Sequence, residues 1–65
     1  MKIKYFRETD TLYIELRTVP IGETRDFDDD TIIDVDMDGR ICGITLEHAS
    51  LRAGIPEISY EQTPP

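Results

Sequence analysis

The stretch Thr31–Leu46, TIIDVDMDGRICGITL, sets two alternating, β-branched runs on either side of Asp38-Gly39. Asp-Gly between apolar runs marks a tight hairpin. A type I′ turn needs positive φ at both central residues, which Gly adopts freely and Asp tolerates. With that turn Met37 faces Arg40, Val35 faces Cys42 and Ile33 faces Ile44. Side chains alternate along a strand, so Ile33, Val35, Cys42, Ile44 and Leu46 share one face, which is the expected core.

Two further strands precede this hairpin. Lys2–Phe6 alternates Ile3 and Tyr5 against Lys2 and Lys4, and its lysines suit a sheet edge. Leu12–Arg17 turns Leu12, Ile14 and Leu16 inward and Tyr13, Glu15 and Arg17 outward. The polar turn Arg7–Asp10 joins them as a hairpin with a loop of about four or five residues. Pro20 and Gly22 then interrupt the pattern, so 18–22 reads as a bend or an irregular edge. Glu23–Phe27 forms a short, charged third strand, and Asp28-Asp29-Asp30 a solvated turn. After Leu46, Glu47–Ala53 fits one or two helical turns, with Gly54 placed as a left-handed C-terminal residue and Pro56 as a stop. The expected architecture is α+β: a small antiparallel β-meander of four to five strands with a short C-terminal helix or turn. The domain covers 1–54, followed by a tail over 55–65 that carries Ile58 and Tyr60.

With 65 residues the chain makes one domain, and one this short buries only ~60% of its unfolded surface. Small domains usually add a disulfide, a metal or a second chain. Cys42 is the single cysteine and no structural-zinc spacing occurs, so self-association is the expected support. The opening MKIKYF contains neither a signal peptide nor a membrane span, which gives a cytoplasmic expectation. The net charge of −7, from 14 acidic against 7 basic residues, repels phosphate backbones and argues against nucleic acid. It keeps the surface solvated first, and second suits a basic protein partner.

Three constellations resemble chemistry. Asp34-x-Asp36-x-Asp38-Gly39 matches the start of a calcium-binding loop, but the twelfth position is Thr45 where a bidentate Glu belongs, and the flanks have strand periodicity. A polar hairpin face explains these residues better; an acidic divalent-metal-binding domain using Asp34, Asp36 and Asp38 stays as an alternative. The Asp28–Asp30 run lacks any phosphate cradle and reads as a solvated turn. Glu47-His48 is the one place for histidine acid–base work, and a small enzyme centred there is the other alternative. No nucleophile–base–orienter set can be assembled around it, so no catalytic, cofactor or metal residues are assigned. Tyr5, Tyr13 and Phe27 read as packing residues rather than a base-stacking platform.

Met1–Tyr5, Glu8, Asp10, Leu12-Tyr13-Ile14, Glu23-Thr24, Asp34-Val35-Asp36, Asp38-Gly39-Arg40, Gly43-Ile44 and Ala49-Ser50 together resemble a small prokaryotic family catalogued as domain of unknown function 2283. The resemblance spans about residues 1–52. Phe6-Arg7 stands where that family usually has Asp-Pro, and His48 where an Asp commonly precedes Ala-Ser, which removes a helix-capping carboxylate. The family name implies no activity. Some members resemble small partners encoded beside toxin-like proteins, which implies an antitoxin-like role. The leading expectation is a non-enzymatic protein-interaction module, self-associating as a homodimer or higher, with a small basic protein as a further partner and no membrane role. An exposed, partly apolar sheet face carrying Ile32, Ile41 and Tyr13 is expected to mediate self-association.

Overall fold

The computed structural model describes residues 1–55 and 57–65; Pro56, the expected helix stop, lies outside the described residues. Five strands, β1 (Lys2–Phe6), β2 (Thr11–Glu15), β3 (Ile21–Asp28), β4 (Thr31–Asp36) and β5 (Ile41–Leu46), precede a four-residue helix α1 (Ala49–Arg52). All neighbours are antiparallel, and the order across the sheet is β1-β2-β5-β4-β3. The fold is therefore mostly β, with the expected helix reduced to one turn. The meander runs through β3, β4 and β5, while β2 pairs with β5 rather than with β3. Composition explains the order. Glu23, Arg25, Asp26 and Asp28 make β3 costly to bury, so it takes an edge, and every residue of it is exposed. The apolar strands β2, β5 and β4 fill the centre.

Register sorts the side chains into two faces. Ile3, Ile14, Ile44 and Ile33 pair in one row across four strands and end at Arg25. Tyr5, Leu12, Leu46 and Thr31 form the next row. The opposite face carries Lys4, Tyr13, Thr45, Ile32 and Asp26, beside Lys2, Glu15, Gly43, Asp34 and Thr24. Among the described residues only Leu12, Val35, Cys42 and Ala49 are buried hydrophobics, and no large side chain is fully buried. Ile33, Ile44 and Leu46 lie on the expected face but are half-buried.

The central turn differs from its type I′ expectation. The Gly39 amide donates to the Asp36 carbonyl at 3.0 Å and the Asp36 amide to the Arg40 carbonyl at 2.8 Å, which encloses a three-residue loop. Gly39 has φ 82°, and Asp38 is not in the left-handed region. This is the loop in which a type I turn is followed by one left-handed residue. Asp36 selects it: its Oδ1 accepts from the amides of Asp38 and Arg40, each at 2.9 Å. The extra residue shifts the register, so Val35 pairs with Ile41 instead of Cys42 and Ile41 joins the isoleucine face. Ile32 and Tyr13 stay on the polar face; the three expected patch residues are thus split between the faces. At the helix end, Ala53 is extended and Gly54 does not have positive φ, which corrects the left-handed cap.

These turns make a discriminating pair of substitutions. Gly39→Ala forces an L-residue into the left-handed region and lowers stability by about 1–2 kcal/mol. Asp38→Ala changes it by less than about 0.5 kcal/mol, since that position needs no special backbone. A type I′ turn would make both substitutions costly; chemical denaturation distinguishes the two.

Candidate functional site

The densest polar cluster sits where β2 begins and β5 ends. The first-turn amides of a helix lack internal partners and need caps. His48, the N-cap residue, makes no side-chain cap bond. Asp10, from the β1–β2 turn, takes over that task. Its carbonyl accepts from the Ala49 amide at 2.9 Å, Oδ1 from the Ser50 amide at 3.0 Å, and Oδ2 from the Ser50 hydroxyl at 2.7 Å. Tyr5 adds its hydroxyl to Oδ1 at 2.6 Å. The Tyr5 bond, then the Ser50 hydroxyl, hold the Asp10 carboxyl below its ordinary range, and the same carboxylate raises the Tyr5 phenol. Asp10 (φ 52°) and His48 (φ 54°) are the two non-glycine residues in the left-handed region among those described. Strained backbone is thus concentrated at this one contact.

On the other side of α1, His48 Nδ1 lies 3.0 Å from Asp30 Oδ1. The Arg52 guanidinium donates to the Asp30 carbonyl and, at 2.7 Å, to the Thr31 hydroxyl. Asp28 Oδ1 accepts from the Asp30 amide at 2.9 Å, and this bond first, then one from Thr31, holds the Asp28 carboxyl low. His48 and Ser50 therefore engage different carboxylates, Asp30 and Asp10, and the histidine side chain is 63% exposed. The hydrogen bonds define a brace between turns and helix.

The three aspartates of the calcium-like motif also have separate occupations. Asp34 accepts from Tyr13 Oη at 3.1 Å and from Thr24 Oγ1 at 2.8 Å. Asp36 pairs with Arg17 at 2.8 Å while holding the turn, and Arg17 first, then the Arg40 amide, lowers its carboxyl. Asp38 lies in the turn. Among the described residues no three His, Cys, Asp or Glu side chains converge as metal ligands. Burial first, and the bond to Asp34 second, raise the Tyr13 phenol. Tyr13 lies across Gly43, where a Cβ would fall 2.3 Å from its hydroxyl oxygen. The buried Cys42 thiol donates to the Asp34 carbonyl at 3.5 Å.

Sequence reasoning placed Asp10 in a polar turn and Tyr13 in packing, and missed the capping and bridging roles. The available signals were an aspartate at the end of a tight turn and a glycine in a central strand. The first is common in turns; the second points to close approach of another group. Across the surface, charge is segregated. Residues 21–38 hold eight carboxylates against Arg25 alone, a balance of −7 that equals the charge of the whole chain.

These features describe a small, single-layered, mostly β domain. Comparison with protein families matches residues 2–50 to the family described as protein of unknown function (DUF2283). The chain belongs to that family. Comparison with curated proteins and with solved structures gives no match. Among the described residues no helix is long and apolar enough to cross a membrane.

Asp10 gives a pH prediction. Its carboxyl is lowered in the fold, so it contributes stability above the ordinary aspartate value of about 3.8, lost as pH falls through the lower folded value. Asp10→Asn melts at a lower temperature than the parent at pH 7, and the gap narrows below about pH 4; thermal melts across pH that keep the gap constant contradict this brace. Gly43→Ala lowers stability by about 1–3 kcal/mol through overpacking. The loss shrinks in a Tyr13→Phe background, because the nearest atom is the phenol oxygen; a double-mutant cycle by denaturation measures it.

Proposed function

We propose that this chain is a non-enzymatic, cytoplasmic protein-interaction module that self-associates through its isoleucine face, its most specific form being the antitoxin-like partner of a small basic protein. The supporting observation is an unfinished core. A compact monomer of 7.5 kDa exposes about 4,250 Å² by the usual size scaling. This chain exposes 5292 Å², an excess contributed by open sheet faces and by residues 57–65, all exposed. The excess is on the order of the ~800 Å² that each partner buries in a standard interface. Among the described residues, the row Ile3, Ile14, Ile44 and Ile33, with Ile41 beside it, has only the one-turn helix at its end. A second copy laid face to face supplies the missing layer. The acidic balance of the β3–β4 region supports a basic protein as the additional partner.

Light scattering on a dilution series, with denaturation followed at each concentration, tests the reading. The expected result is a dimer or larger, with a midpoint that rises with protein concentration. Ile41→Lys, at a position already 45% exposed, is expected to give a folded monomer. Monomer mass at every concentration would refute self-association. For the antitoxin-like role, a small basic protein encoded by an adjacent gene is expected to co-purify, and its failure to bind when co-expressed argues against that role.

A further inference from the structure

β3 is the edge of the sheet on the side away from β1, and beyond it lie the unpaired backbone groups of an eight-residue strand. Such an edge is a template for another strand, and proteins usually blunt it with charge or bulges. Here bulges occur near Gly22 and Phe27, while Glu23–Asp26 keeps regular pairing with β4. The charges have one dominant sign. They repel a second copy of β3, yet they attract a strand of the opposite sign.

Two surface depressions extend from β3 onto the sheet face. One, of about 330 Å³, lies among Arg25, Phe27, Ile33 and Ile41. The other, of about 210 Å³, lies among Gly22, Arg25, Val35 and Met37. Both open on the face that carries Val35 and border Arg25, whose guanidinium is held at 2.7 Å by Glu23. Side chains two residues apart on an added strand point to the same face, about 6.6 Å apart, so alternate residues lie along the Arg25 side of the sheet. On the opposite face Asp26, exposed, is paired with Ile32 in the row that Thr45 and Tyr13 continue.

We infer that β3 is the docking strand for an extended segment of a basic partner, which adds a sixth strand to the sheet. The segment places apolar side chains on the Arg25 side, at the margin of the two depressions, and Lys or Arg on the Asp26 side. Backbone bonds supply affinity and the alternating side chains supply selectivity, as in other strand-addition complexes. This rests on the basic-partner reading above and assigns it the free edge of β3, which adjoins the isoleucine face at Ile33 and Ile41.

The test uses the full chain, isotope-labelled for backbone amide NMR, and a synthetic peptide alternating lysine and valine over about eight residues, the length of β3. Amide shifts are expected to concentrate in residues 21–28. Methylating the peptide's amide nitrogens along one edge keeps its charge but removes its donors, and is expected to weaken binding at least tenfold. Asp26→Lys is expected to weaken it several-fold. Equal affinity of the methylated peptide would reduce the effect to diffuse charge attraction and overturn the inference, as would shifts centred away from β3. A peptide of residues 1–7, which contains Lys2, Lys4 and Arg7, is the control. If it competes for the same amides with equal affinity, the occupant is a second copy and the inference fails. Oligomeric state and the location of the amide shifts tell the two readings apart. A monomer that binds the peptide at β3 loses the isoleucine-face dimer and keeps the docking strand; a dimer that binds the basic peptide only on another surface does the reverse.

Discussion

Everything in this molecule is assembled around the pairing of β2 with β5. Leu12 lies opposite Leu46 and Ile14 opposite Ile44, so the most apolar positions of the two strands meet directly. A two-stranded hairpin such as β1–β2 is marginal alone. Joined at this seam to the β3–β4–β5 meander, it becomes part of a five-stranded sheet with a continuous isoleucine row. The same seam brings the β1–β2 turn beside the end of β5, which is what lets Asp10 cap α1 from forty residues away. Lose the seam, and the helix loses its cap as well.

The carboxylates divide into two populations with different physical roles. Asp10, Asp28, Asp34 and Asp36 accept bonds from amides, hydroxyls or a guanidinium and hold turns in place. That occupation explains why a motif resembling the start of a calcium loop is satisfied within the fold. Charge-assisted hydrogen bonds are the stronger class, which suits a domain with little apolar burial. Exposed carboxylates such as Asp26 and Asp29 contribute field rather than contacts. Two faces and one edge therefore differ in kind: an apolar layer without a cover, a polar layer satisfied within itself, and a negatively charged rim.

Strands are legible where alternation survives: Lys2–Phe6 matches to its ends and β2, β4 and β5 to within a residue or two. By contrast β3, expected over Glu23–Phe27, runs from Ile21, inside the expected bend, to Asp28, because its exposed, charged residues carry no alternation. Strand order was not, since adjacency in sequence favours β2 beside β3 while the charges of Glu23, Arg25, Asp26 and Asp28 forbid a central position. Asp38-Gly39 locates the turn, but its length depends on Asp36, whose carboxylate captures two amides across the loop. That choice moved Ile41 to the isoleucine face. The helix cap was hidden for another reason. Capping rules look a few residues upstream, where His48 stands, whereas the donor groups of Ala49 and Ser50 are met by a residue from the opposite end of the chain. Tyr13 reads as a packing residue, and the space that Gly43 leaves for it is visible only once the strands are paired.

The strand order also fixes a sequence of events at the ribosome. Leu12 must wait for Leu46, thirty-four positions later, before the seam can close. At ordinary translation rates that interval is roughly 2–7 s. During it the β1–β2 hairpin has no partner strand, and the isoleucines that will form half of the row are open to any passing chain. Closure then links distant segments in one step, the kind of topology that slows folding. The nascent protein is thus most vulnerable to aggregation just before its fifth strand emerges, and lysines on β1 offer the early hairpin its own electrostatic protection.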